Sequence, residues 1–192
     1  DGPVLPEETR DGVLFLTLNL PAKKTALSNE LVVALLHAFE TSAAEDDVRV
    51  VGLTGSGDAF CAGADLTAPR GSTSIETTID LVVRLVRGMR IGCEKPVVAG
   101  VGGIAIGAGL SLALCADMRI ASSKARFHPG YARLGTSPDV GLSWTLPQAI
   151  GRERALRFLL EPRMSDAGAA LQLGLVGEVV PDESFGTEFR GY

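Results

Sequence analysis

The chain has 192 residues, 46% of them hydrophobic, with 18 Lys and Arg against 23 Asp and Glu and a net charge of -5. That balance, with aromatics at 5% and no basic stripe, excludes an extended polyanion-binding face and with it a nucleic-acid partner, though not a small basic pocket. The longest uncharged apolar run, Val97 to Ala116, is interrupted by five glycines, which marks buried strand and turn and argues against a membrane span. No signal peptide is visible, and three cysteines (Cys61, Cys93, Cys115) without paired metal-ligand spacing are expected as reduced, buried thiols of a cytoplasmic protein, with no metal site.

No linker, repeat or low-complexity stretch divides the chain, so residues 1–192 are expected to form one domain. Val13 to Asn19 reads as a strand and Pro21 to Thr25 as a polar turn. Ser28 then has the character of an N-cap, with Leu31, Leu35 and Phe39 spaced along one face of a helix that fades near Ala44. Arg49 to Thr54 is a short buried strand ended by the turn Gly55-Ser56-Gly57-Asp58. Ala68 to Ser74, rich in Gly, Ser, Thr and Pro, predicts a mobile loop, followed by a helix from about Ile75 to Arg90. Pro96 to Val101 is a strand, Ala108 to Cys115 a helix and Met118 to Ala121 another strand. Helices at about 140–150, 152–160 and 165–173 follow, and Glu178 to Val180 closes as a strand. Alternating strands and helices predict an α/β fold with parallel strands.

Two corners carry the chemistry. Glycine in an element costs about 0.5 to 1 kcal/mol relative to alanine, so the cluster in GIAIGAGLSLALCADMRIA, residues 103–121, requires a reason. At Gly107-Ala108-Gly109 a helix begins, and the first N–H groups of a helix are unpaired and sit at its positive dipole end. In AFCAGADL, residues 59–66, a strand again leads into small residues, Ala62, Gly63 and Ala64. Two such corners on adjacent strands can aim two N–H groups at one oxygen, forming an oxyanion hole that stabilises an enolate or tetrahedral transition state. Close packing alone also favours small residues at such turns, and GAG is too short for a dinucleotide fingerprint because position 112 is Leu.

The stretches NLPAKKTALS (19–28), AFCAGADL (59–66), KPVVAGVGGIAIGAGLSLALCADMRIAS (95–122), ARFHPGYARLGTSPDVG (125–141) and ALQLGLVGEVVPDE (170–183) resemble the crotonase, or enoyl-CoA hydratase/isomerase, superfamily. The resemblance implies a crotonase-like spiral of turned ββα units with parallel sheets flanked by helices. It implies an acyl-CoA thioester substrate, coenzyme A entering as part of that substrate with no other cofactor, and an enolate held by the N–H groups of Ala64 and Ala108 beside Gly107. Lys23, Lys24, Ala26, Ala62, Asp65 and Leu66 then lie along the nucleotide and pantetheine path. Taken alone, Lys23 and Lys24 read equally well as solvated turn lysines. The family further implies a homotrimer or dimer of trimers, and C-terminal helices that pack it and cover the acyl pocket; the tail SFGTEFRGY does not supply them.

Hydratases of this family place two glutamates around the enoyl group, and the matching positions here are Ser111 and Tyr131. Neither is a carboxylate, so water activation by paired acids is not expected. Asp139, in GTSPDVG, aligns with the aspartate that several isomerases and dehalogenases of the family use. One carboxylate at the rim of an apolar pocket can take a proton from one carbon and return it to another, which is double-bond isomerisation. The competing role for Asp139 is to cap a helix starting near Val140. Tyr131 is then expected to hydrogen-bond substrate or fill volume and Ser111 to touch substrate; His128, in the pocket-forming segment, reads as structural more readily than as a substrate contact, and Trp144 is expected in core or interface. Three other readings remain: hydration by another acid/base group, a non-catalytic acyl-CoA binding protein, and an acyl hydrolase built on Ser111, His128 and Asp139.

Overall fold

The computed structural model describes residues 2–67, 74–161 and 163–192. Most of the loop expected at Ala68 to Ser74 lies outside the described residues. The chain opens with an antiparallel hairpin of β1 (Val4–Arg10) and β2 (Val13–Leu18), turning at Asp11 and Gly12, both at positive φ. The helix α1 (Asn29–Ala44) is capped by Ser28, whose Oγ accepts from Leu31 N–H at 3.2 Å, and it buries Leu31, Leu35 and Phe39 as their spacing dictates.

Three turned units follow. The strand β3 (Val50–Gly55) leads to β4 (Ala59–Cys61) and α2 (Ile75–Arg87). Next, β5 (Val97–Val101) leads to β6 (Ile104–Ile106) and α3 (Ala108–Cys115). Third, β7 (Met118–Ser122) leads to β8 (Arg126–His128) and the helices α4 (Tyr131–Leu134), α5 (Leu142–Ile150) and α6 (Arg152–Leu160). The first strand of each unit joins a six-stranded sheet of order β1-β2-β3-β5-β7-β10, and the second joins a four-stranded sheet of order β4-β6-β8-β9. The remaining elements are β9 (Ser165–Asp166), α7 (Ala167–Leu173), β10 (Glu178–Val180) and α8 (Phe185–Gly191). From β2 onward every pairing in the large sheet is parallel, so the fold is the expected α/β spiral.

Several boundaries depart from the sequence reading. The strands β4, β6 and β8 are three residues each, too short to display a period. The helix expected to start near residue 140 begins at Leu142, because Val140 and Gly141 both take positive φ, 46° and 74°. A π-helical turn, Gly88–Gly92, ends α2 early. Ser165–Asp166 is strand, pairing antiparallel with β8, before Asp166 caps α7. The tail, for which the sequence reading named no element, forms α8, which sets Phe189 across Gly52 and Gly100 of adjacent strands, where a Cβ would come within 3.2 and 2.7 Å of its ring. Phe15 meets Phe189 edge-on at 5.4 Å and Phe185 stacks on it at 6.0 Å.

The main core fills the space between the two sheets and α1, α3 and α5, while Val98, Ile120, Val180 and Phe189 form a smaller cluster under α8. All three cysteines are free and buried. Burial pushes the thiols of Cys61 and Cys115 up to about 12 and about 11, which keeps them protonated and inert. Among the described residues no helix is long and apolar enough to cross a membrane.

Candidate active site

The two glycine corners meet. A Cβ built on Gly63, at φ +94°, would lie 2.7 Å from the Ile106 oxygen and 3.5 Å from the Ala108 nitrogen, so only a bare backbone lets the end of β4 lie against the start of α3. Gly109 has the same cause: a Cβ there would stand 2.1 Å from the Cys61 oxygen. Gly107, the N-cap of α3 at φ 53°, turns the chain, and its N–H donates to the His128 carbonyl at 3.0 Å.

Each corner leaves one N–H unspent within its own element. Ala108 is the first residue of α3 and has no intrahelical acceptor. Around Ala64 a parallel bridge to Leu27 uses Leu27 N–H to the Gly63 carbonyl (2.7 Å) and Asp65 N–H to the Leu27 carbonyl (3.1 Å), which leaves the Ala64 N–H outside it. Ala64 is exposed and Ala108 buried, so the first corner faces solvent less than the second.

The segment Pro21–Leu27 runs beside the second corner and brings most of the expected coenzyme path into one ledge. A 3₁₀ turn, Pro21–Lys23, delivers Lys24 and Thr25 at φ 50° and 51°. The Thr25 hydroxyl, fully buried, donates to the Phe60 carbonyl at 2.6 Å, and Ala62 N–H donates to the Lys24 carbonyl at 3.0 Å. The role of Thr25 has no sequence signal beyond its place in the turn. Lys23 Nζ lies 2.8 Å from Asp65 Oδ2, while Thr67 N–H and Oγ1–H donate to Oδ1. Chiefly through the Lys23 bond, the Asp65 carboxyl is held down at about 2. Lys24 Nζ stands 3.4 Å from Asp58; Ala26 is buried and Leu66 is 76% exposed.

The acid/base candidates form a chain of hydrogen bonds. Tyr131 Oη donates to Asp139 Oδ1 at 2.5 Å and lies 2.8 Å from Ser111 Oγ, which in turn is 3.1 Å from the Gly107 carbonyl. Ser111 is fully buried and Tyr131 is 6% exposed, so neither hydroxyl is solvated. Burial first, and then the Asp139 carboxylate, pushes the Tyr131 phenol well above its usual range, and it remains a donor at any physiological pH.

Asp139 does not cap α5. The N-cap is Gly141, and of Asp139 only the backbone carbonyl takes part, accepting Leu142 N–H at 2.9 Å. Val140, β-branched, buried and at φ 46°, is an outlier that costs on the order of 1–3 kcal/mol, immediately after the exposed Asp139 whose carboxylate meets Tyr131. No residue pattern announces that turn.

The hydrolase arrangement is not assembled, since the Ser111 hydroxyl bonds Tyr131 and Gly107 and no histidine. His128 is buried at the end of β8 and His37 is exposed on α1. Trp144 is 56% exposed on α5, with Arg90 over its ring at 5.4 Å, and is not a core residue. Among the described residues no cluster of His, Cys, Asp or Glu could hold a metal ion.

Comparison with known proteins shows the family. Residues 8–191 match the family model for enoyl-CoA hydratase/isomerase. The chain is 38% identical over 193 aligned positions to the probable enoyl-CoA hydratase EchA12 of Mycobacterium tuberculosis, covering 94% of this chain and 66% of that protein. It is 35% identical over 182 positions to 1,2-epoxyphenylacetyl-CoA isomerase of Escherichia coli, covering 90% of this chain and 68% of that one. The crystal structure of an enoyl-CoA hydratase from Bacillus anthracis superposes with a TM-score of 0.90 at 31% identity, over 98% of this chain and 74% of that one. The chain thus spans about two-thirds of the length of the curated relatives it matches. From the two glycine corners to the tail of the spiral, it belongs to the enoyl-CoA hydratase/isomerase family.

Proposed function

We propose that the chain isomerises the double bond of an enoyl-CoA thioester, with Asp139 as the one acid/base group and the N–H groups of Ala64 and Ala108 as the oxyanion donors. The observation that carries this reading is the hydrogen-bonded chain ending on Asp139: it joins a single carboxylate to the first turn of α3, and among the described residues it includes no second acid.

The steps balance without a redox partner. Asp139 Oδ2, which has no bond among the described residues, takes a proton from the α carbon of a β,γ-enoyl thioester. The electron pair moves into the thioester, and the charge on its oxygen is met by the two backbone dipoles, which need no reorganisation. The same carboxyl returns the proton at the γ carbon, and the double bond shifts to the α,β position. Coenzyme A enters as part of the substrate, with Lys23 and Lys24 near its phosphates and Ala26, Ala62, Asp65 and Leu66 along its path. The isomerase name of one relative supports this reading, while the hydratase names of others favour water addition as the second reading. We further propose a homotrimer or dimer of trimers acting in the cytoplasm; exposed Leu134 on α4, and Leu156 and Leu160 one turn apart on α6, offer apolar surface for it.

The test is transfer of solvent deuterium into a panel of enoyl-CoA thioesters. The wild-type protein incorporates label and shifts the bond faster than it adds water, and Asp139→Asn loses roughly 100- to 10,000-fold in rate with binding retained. An Asn variant as fast as the parent overturns the reading, and binding without turnover by either protein leaves a non-catalytic acyl-CoA binding module.

A further inference from the structure

We infer that Tyr131 and Ser111 act as positioning residues that tie the proton-transfer carboxylate to the oxyanion donor, so that one hydrogen-bonded strut sets both halves of the site. This rests on the isomerase reading of Asp139, and it moves both hydroxyls from substrate contact to an internal role.

The direction of the strut follows from proton counting. An ionised carboxylate only accepts, so the single proton of Tyr131 goes to Asp139 Oδ1, at 2.5 Å. The Tyr131 oxygen is left as an acceptor. The Ser111 hydroxyl therefore shares its one proton between the Tyr131 oxygen at 2.8 Å and the Gly107 carbonyl at 3.1 Å as a three-centre bond, the only arrangement in which two hydroxyl protons serve all three links. Gly107 C=O and Ala108 N–H belong to one planar peptide unit, so a donor on that carbonyl fixes the plane and polarises the N–H on its other side. Ser111 N–H reaches the same carbonyl at 3.0 Å, as the first helical bond of α3.

Asp139 needs such a partner. Its side chain is exposed, it follows a loop, and it makes no cap, so Tyr131 supplies its one side-chain bond among the described residues. With Oδ1 occupied, Oδ2 is left to carry the proton. Tyr131 itself stays neutral throughout, since burial and the neighbouring carboxylate both disfavour the phenolate. No proton is relayed to solvent through it, and the chemistry remains at one carboxyl.

Tyr131→Phe keeps the ring and removes the donor. Misplacing a catalytic group by about 1 Å costs on the order of 100-fold, so kcat for isomerisation should fall by roughly 10- to 100-fold while KM changes less than about threefold. Ser111→Ala, which leaves Tyr131 on Asp139, should lose less in rate but should move the infrared carbonyl stretch of a bound acyl-CoA thioester toward its value in water, because the Gly107 carbonyl keeps only the backbone N–H of residue 111 and loses the hydroxyl. A residue that merely filled space would lower the melting temperature and move neither the kcat-to-KM split nor the carbonyl band. Tyr131→Phe at parental kcat, in a protein whose Asp139→Asn variant is slow, overturns the strut and leaves the isomerase reading standing. An unchanged carbonyl band in both Ser111→Ala and Tyr131→Phe removes the oxyanion arm. If Asp139→Asn is itself as fast as the parent, the reading fails and the strut fails with it.

Discussion

Lys23 Nζ and Asp65 Oδ2, 42 residues apart in the chain, lie 2.8 Å apart and fasten the Pro21–Leu27 segment to the second glycine corner. The Asp65 carboxyl is depressed to about 2, first by Lys23 and then by Thr67. A depressed carboxyl contributes stability that is fully present above its unfolded value of about 3.9 and is lost as pH falls through the folded value. Between pH 5 and 8 the bond is therefore constant. Carbon-detected NMR titration should place the Asp65 midpoint near 2, and Lys23→Ala should return it toward about 4. A midpoint indifferent to Lys23 would mean that Thr67 alone holds it down.

Ala108→Pro removes one proposed oxyanion donor with little damage to α3, because proline is well tolerated at the first helical position. The loss should be on the order of 100- to 1,000-fold in kcat. Circular dichroism checks that the helix survives, and unchanged turnover in the folded variant rules out the Ala108 N–H as a donor.

The Tyr131 phenol, raised by burial and by Asp139, keeps its proton in the fold beyond the point at which an unfolded tyrosine loses it. Its contribution is fully present below pH about 10 and is lost as pH rises toward the folded value. Tyr131→Phe should flatten the alkaline limb of stability measured by denaturant titration between pH 9 and 11, and an identical limb in both proteins would contradict the placement.

Removing the Phe189 ring empties the trough over Gly52 and Gly100. Phe189→Ala should cost about 3–5 kcal/mol in urea unfolding, as other buried Phe truncations do. A loss below about 1 kcal/mol would mean that α8 frays from the sheet.

Sedimentation should find a trimer or hexamer, and charging the apolar face by Leu156→Glu with Leu160→Glu should shift it to monomer with little loss of monomer stability. A wild-type protein that sediments only as monomer would contradict the proposed assembly.

The long elements were legible because their signals are local. Ser28 with Leu31, Leu35 and Phe39 specifies the start and face of α1, and the uncharged run of α3 requires burial on every side. The glycine corners were legible too, since Gly107 and Gly63 must be glycine at their φ values. The three-residue strands were not, because pairing with distant neighbours makes them strands and no period of two fits within their length. The α8 helix announces itself only through Phe185 and Phe189, four apart. Tyr131 and Asp139 were each identified in the sequence, but their bond was not. It joins residues eight apart across a loop whose path, including the left-handed Val140 that its β-branched side chain disfavours, is set by tertiary packing and not by local pattern.

At Gly109, where even a methyl group would start 2.1 Å from a main-chain oxygen of Cys61, nothing can yield, because a strand and a helix would both have to move. Gly186 and Gly191, with no atom within 4 Å of such a methyl, carry no such bar. On steric grounds alone, neutral drift is expected to hold the first position at glycine and to let the other two vary. Selection for folding alone, blind to turnover, would therefore preserve the corner on which the proposed reaction depends, and a descendant that lost such an activity would keep the cradle from which it could be regained.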